Sequence, residues 1–154
     1  MNLDPAAFQA EPELIQSLEK QSTPISCTED RVLFRQGDDP AGLYILRAGE
    51  VTLTLNSPQG NEVASTTATA GSLLGLPGLI GDQPFTLSAT AHAGAQASFL
   101  SRDSFAELMR TDPLLALKVL KVLAAEVRSA RSAILNQRRP QKRRRSRLTP
   151  SGQA

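Results

Sequence analysis

Tryptophan is absent from this sequence, and Tyr44 with five phenylalanines is its whole aromatic content, so a core must be built from aliphatic side chains. Cys27 is the single cysteine, which excludes an internal disulfide. With His92 the single histidine, no metal cluster of usual ligand spacing and no Cys/His nucleophile pair can be assembled. No Gly-Lys-Ser or Gly-Lys-Thr occurs, which removes the phosphate-binding P-loop. Long apolar runs are also missing. The most apolar long segment, Leu114 to Ala125, is interrupted by Lys118 and Lys121 and is much shorter than the roughly 20 residues that span a bilayer. The N-terminal Met-Asn-Leu-Asp-Pro has neither a basic n-region nor an apolar h-region. These absences lead to the expectation of a cytoplasmic protein that is no enzyme and carries no metal or cofactor.

Acidic charge is missing from one end. All 15 acidic residues precede Val127, whereas seven of the 17 basic ones (Arg138, Arg139, Lys142, Arg143, Arg144, Arg145 and Arg147) fall in one short tail. Residues 1–137 therefore carry ten basic side chains against 15 acidic ones, a net of −5, and the tail carries +7. A mildly acidic globule bears a basic appendage.

What is present is organised around residues 33–55. Two apolar, β-prone runs, Gly42 to Leu46 and Val51 to Leu55, are joined by Arg47-Ala48-Gly49-Glu50, and a third ends at Phe34. Gly37 and Gly49 stand where tight connections need positive φ. From Val51 the chain alternates, with Val51, Leu53 and Leu55 on one face and Thr52 and Thr54 on the other, as in a strand buried on one side. Short strands with fixed glycines point to a small barrel.

On either side, the elements read in order. Pro12 to Gln21 places Leu14, Ile15 and Leu18 at helical spacing and predicts a short helix closing one end of the barrel. Ile25 to Phe34 predicts one or two strands. Ser57-Pro58-Gln59-Gly60-Asn61 is a turn reversing the chain into Glu62 to Ala70. Gly71 to Phe85 is rich in Gly and Pro yet too apolar for a surface loop, so it packs against something. Leu87 to Ala93 and Ala95 to Leu100 are the closing strands. Ser101 caps a helix that buries Phe105, Leu108 and Met109, and Asp112-Pro113 opens a long helix to about Asn136. In that helix Leu120, Val127 and Ile134 recur every seven residues, with Ala116, Leu123 and Ala130 between them. Such a stripe suits pairing with another helix; the alternative is a helix packed on its own barrel.

The stretch from Phe34 to Val51, through Gly37, Asp38, Gly42, Leu43, Tyr44, Ile45, Gly49 and Glu50, resembles the first half of the cyclic nucleotide-binding domain. That β-roll is shared by catabolite-activator-type transcription factors, kinase regulatory subunits and gated channels. The resemblance implies a mainly β fold with flanking helices, a double-stranded β-helix of jelly-roll type. It divides the chain into a roll (1–111), a long C-terminal helix (112–137) and a basic disordered tail (138–154). In the catabolite-activator/FNR-like branch the matching helix is the dimer interface and borders the ligand pocket, which strengthens the expectation of a homodimer.

The resemblance also locates a phosphate-binding cassette in Gly71 to Ala91. In the family a glutamate there holds the ribose 2′-hydroxyl and an arginine pairs with the cyclic phosphate. Aligning Gly75 with the cassette glycine and Ser88-Ala89-Thr90 with its end puts Leu76 at the glutamate position and Leu87 at the arginine position. Between Arg47 and Arg102 there is no arginine or lysine, so no shift of alignment restores the pair. A phosphodiester would surrender hydration to an apolar lining, at a cost of several kcal/mol. The cassette set Gly75, Leu76, Pro77, Gly78, Leu87, Ser88, Ala89 and Thr90 is thus expected to bind cyclic nucleotide weakly or not at all. Its pocket is filled by its own side chains or admits an uncharged or apolar ligand.

His92 and the Asp38-Asp39 pair are expected in packing, surface or turn roles. The tail has no aromatic to stack on a base, and its charge suits nonspecific, salt-dependent contact with nucleic acid, an anionic surface or an acidic protein partner. Family transcription factors place a winged helix-turn-helix after the dimer helix. Only 18 residues follow Asn136 here, so this chain is not expected to read DNA sequence by itself.

Overall fold

The computed structural model describes residues 3–135 with their side chains. Two four-stranded antiparallel sheets face one another. One has the order β1 (Thr23–Ser26), β8 (Gln96–Ser101), β3 (Gly42–Ala48), β6 (Leu73–Leu74); the other runs β2 (Arg31–Phe34), β7 (Ser88–Ala91), β4 (Val51–Asn56), β5 (Glu62–Ala68). Around them lie α1 (Pro12–Glu19), α2 (Leu76–Gly81), α3 (Arg102–Thr111) and α4 (Pro113–Gln153), with a 3₁₀ turn at Pro5–Phe8. This is the mainly β roll with flanking helices and a long last helix that the sequence implies. α4 continues through the helix end expected near Asn136 to Gln153, and the side chains of Arg138 to Arg147, expected in a disordered tail, lie outside the described residues.

The different apolar patterns of β3 and β4 follow from what covers them. β4 alternates because Val51, Leu53 and the partly buried Leu55 face the interior of the roll, while Thr52 and Thr54 are half-exposed. β3 reads as a continuous apolar run because it is buried on both faces. Leu46 faces the interior with Phe34, Leu53 and Leu74, whereas Leu43 and Ile45 face the helices with Leu73, Leu100 and Phe105. Two cores result, one inside the roll and one between a sheet and the helices.

The first two turns have the geometry their glycines require. Gly37 and Gly49 take φ of +95° and +82°, and a Cβ on Gly49 would lie 2.6 Å from Ala95 Cα. The Ser57–Asn61 turn pairs β4 with β5 so that Val51 opposes Ala68 and Leu55 opposes Ala64. Small alanines supply the core face of β5, which explains its weak sequence signal.

One end-closing assignment is corrected. α1 buries Leu14 and Leu18 in the core between sheet and helices, alongside Leu43 and Leu100, instead of covering an end of the roll. The residues that join the interior are those before it, Leu3, Ala7 and Phe8. Asp4 accepts from the Ala6 N–H and its own N–H donates to Ser129 Oγ at 2.8 Å, so this turn is fastened beneath α4. Its 3₁₀ shape gives no 3.6-residue period, and the sequence therefore leaves it silent.

The caps expected for the last two helices are present: Ser101 Oγ accepts from Ser104 N–H, and Asp112 Oδ1 from Leu115 N–H. α4 then carries two parallel stripes. Leu115, Val119, Val122, Glu126 and Ala133 are buried against the roll and the other helices. The expected pairing stripe lies one residue, about 100°, further round. There Ala116, Leu123 and Ala130 are half-buried, while Leu120, Val127 and Ile134 are 49%, 50% and 44% exposed. The helix packs on its own barrel with one stripe and leaves the second uncovered. Among the described residues, no helix is long and apolar enough to cross a membrane.

Candidate functional site

The cassette is built onto the first turn of the organising stretch. Gly37 N–H donates to Phe85 O and Phe85 N–H to Asp38 O, both at 2.9 Å, so the loop before β7 is tied to the β2–β3 turn. The Phe34 and Phe85 rings stack at 4.0 Å between centroids. Gly75 precedes α2 at φ +91°, and a Cβ there would stand 2.7 Å from Phe85 Cε1. The cassette glycine is thus required by two independent constraints, a left-handed backbone and the adjacent ring.

Leu76, at the position resembling the ribose-binding glutamate, is fully buried in the core between sheet and helices with Leu43, Ile45 and Leu79. It does not border the cavity beneath α4. Leu87, at the arginine position, does. Ser88 and Thr90 lie in alternate phase to the buried Ala89 and Ala91, and Ser88 Oγ accepts the Gln36 N–H at 2.9 Å. The interior is filled by Phe8, Phe34, Leu46, Leu53, Phe85 and their neighbours.

Space remains beneath α4. A cavity of about 320 Å³ opens between Pro77, Thr86 and Leu87 of the cassette, Phe8 of the N-terminal turn, and Glu126, Val127, Ala130, Arg131, Ile134 and Leu135 of α4. Of the eight expected cassette residues, only Pro77 and Leu87 border it. Gly75 and Gly78 are taken up by loop packing, Leu76 by the core between sheet and helices, Ala89 by the interior, and Ser88 and Thr90 by the sheet's outer face. The pairing stripe contributes Val127, Ala130 and Ile134.

Glu126 is the residue that sequence reasoning missed. It is 4% exposed, its Oε2 has no hydrogen-bond partner among the described residues, and burial pushes its carboxyl well above the ordinary range. A signal was available. Positions 115, 119, 122, 126 and 133 keep the four-three phase one residue out of step with the pairing stripe, and Glu126 is the only charge in it. Phe8 gave no comparable signal.

The remaining candidates have structural roles. His92 follows β7 with Nε2 2.6 Å from Thr52 Oγ1 and Nδ1 4.0 Å from Asp30 Oδ1, and Cys27 is buried inside the roll. Among the described residues, no three His, Cys, Asp or Glu side chains gather as a metal site would need.

A β-roll of two antiparallel sheets, a glycine-led cassette locked to its first turn, and a long helix roofing a cavity define a regulatory domain of the cyclic nucleotide-binding class. Residues 24–112 match the cyclic nucleotide-binding domain family, and the chain belongs to it. The chain is 28% identical over 118 residues to a CRP-like cAMP-activated global transcriptional regulator of Mycobacterium tuberculosis, covering 77% of this chain and 53% of that protein. It spans about half the length of the curated relatives it matches. Among solved structures, the Thermus thermophilus catabolite activator protein aligns at a TM-score of 0.68 and 24% identity, over 85% of this chain and 62% of that one. The sensor domain of the transcriptional regulator DNR from Pseudomonas aeruginosa aligns at 0.59 and 22%, over 76% and 79%. These structural likenesses concern the fold.

Proposed function

We propose that the chain is a non-catalytic regulatory module of the cytoplasm that has kept the cyclic nucleotide-binding fold and lost most or all of its affinity for cyclic nucleotides. The observation that carries this reading is the cavity beneath α4, where the cassette presents Pro77 and Leu87 and no charge. A cyclic phosphate placed there would meet the buried, acidic Glu126 with no cassette guanidinium to replace its lost water. Ser88 Oγ is already engaged by Gln36 N–H. The Mycobacterium relative is named as activated by cAMP; in this chain the same framework serves another input. Isothermal titration with cyclic AMP and cyclic GMP tests the proposal. No heat of binding is expected up to millimolar nucleotide, and micromolar affinity overturns it.

The output runs through a homodimer formed on the uncovered stripe of α4. Leu120, Val127 and Ile134 support this, since three large apolar side chains about half-exposed in heptad register are what a second helix covers. A second reading, supported by the transcriptional regulators among the relatives, is contact with nucleic acid through Arg138 to Arg147. A gel shift at low salt comparing the chain with a form ending at Asn136 separates the two; equal affinity removes the second reading.

A further inference from the structure

Glu126 stands out among the carboxylates because its buried Oε2 meets no partner among the described residues. It projects from the roll-facing stripe of α4 between Val122 and Ala133, both buried. Among the described residues, no cation lies within ion-pair distance of it and its Oε2 accepts no hydrogen bond. Removing a carboxyl oxygen from water without a partner is unfavourable. A core helix position of this kind is ordinarily filled by Leu or Val. The same residue borders the cavity of about 320 Å³, whose lining is otherwise apolar except for Thr86 and Arg131. An apolar chamber with one buried polar anchor is the usual architecture of a small-molecule site.

We propose that this cavity binds a small, mainly apolar molecule carrying one N–H or O–H donor, which points at Glu126 Oε2 while its apolar body lies against Phe8, Pro77 and Leu87. The donor removes the penalty of the unpaired oxygen, and the body replaces water over Leu87, the residue standing where the family resemblance places an arginine. The inference rests on the reading that the cassette no longer takes a cyclic phosphate.

Two probes of nearly one shape isolate the claim: indole, which has an N–H donor, and 1-methylindole, which has none. In isothermal titration indole is expected to bind the wild-type chain at least ten-fold more tightly than 1-methylindole. In Glu126→Leu both should bind with similar affinity, because the body contacts remain and the acceptor is gone. Chemical-shift mapping of the wild-type chain supplies a readout that needs no variant, and indole should perturb the amides of Leu87 and Ala130. Equal affinities in the wild type, a preference that survives in Glu126→Leu, shifts confined to residues far from the cavity, or no binding of either probe at millimolar concentration overturns the proposal. A parallel titration with cyclic AMP keeps the two readings apart. Nucleotide binding there defeats the lost-affinity reading, whereas absent donor preference defeats only this one.

Discussion

The rings of Phe34 and Phe85 stack with centroids 4.0 Å apart and planes 17° apart, joining the end of β2 to the loop that precedes β7. Two backbone hydrogen bonds, Gly37 to Phe85 and Phe85 to Asp38, fix the same junction. The scaffold half of the motif therefore sets the shape of the half that faces α4. A double-mutant cycle of Phe34→Leu and Phe85→Leu should show a coupling of about 0.5–1.5 kcal/mol in urea unfolding. Strict additivity would mean the stack only fills space.

Gly75→Ala should destabilise the fold by about 2–4 kcal/mol, combining left-handed backbone strain with overpacking against Phe85. Gly60→Ala is the matched control, since φ is +88° there but nothing lies within 4 Å of the added methyl. It should cost about 1–2 kcal/mol. The difference in urea midpoints measures the steric part alone.

Restoring the family's charges one at a time should give opposite results. Leu76→Glu puts a carboxylate into a fully buried site among Leu43, Ile45 and Leu79 and should cost about 3–5 kcal/mol or unfold the chain. Leu87→Arg, at the cavity edge, should leave the chain folded with a loss of about 1 kcal/mol. Circular dichroism during denaturant titration distinguishes them.

The Glu126 carboxyl gives a pH signature. Its value in the folded chain is raised by burial above the ordinary value near 4.5, so the folded state holds the proton longer than the unfolded one. Its contribution to stability is complete below that ordinary value and is lost as pH rises from there toward the folded-state value. Glu126→Gln cannot ionise and should not show this loss. Stability curves of the two proteins from pH 4 to pH 8 should diverge upward in pH, with the variant the more stable at the alkaline end; parallel curves would mean the carboxyl is hydrated.

Dimerisation through α4 predicts that Leu120→Glu with Val127→Glu yields a monomer. Both side chains are about half-exposed in the single chain, so its own stability should change by under about 1 kcal/mol. Sedimentation velocity should show dissociation at least 100-fold easier than in the wild type. An unchanged sedimentation coefficient would place any pairing elsewhere.

The sequence by itself determined the scaffold. Period-two alternation in β4, glycines at 37 and 49 that need positive φ, and caps at Ser101 and Asp112 are local requirements, and local requirements leave local marks. Leu76 and Leu87 were likewise visible as neutral residues at positions resembling charged ones. What only the tertiary structure decided was how these residues are shared among spaces. Leu76 and Leu87 are 11 positions apart in sequence, yet one is locked into the core against the helices and the other borders the cavity under α4. The same applies to Phe8 and Glu126, which meet at that cavity from opposite ends of the described chain. Burial is a property of the space between elements. No periodicity within one element reports which of its faces will be covered, and Glu126 became a candidate site only once α4 was laid against the roll.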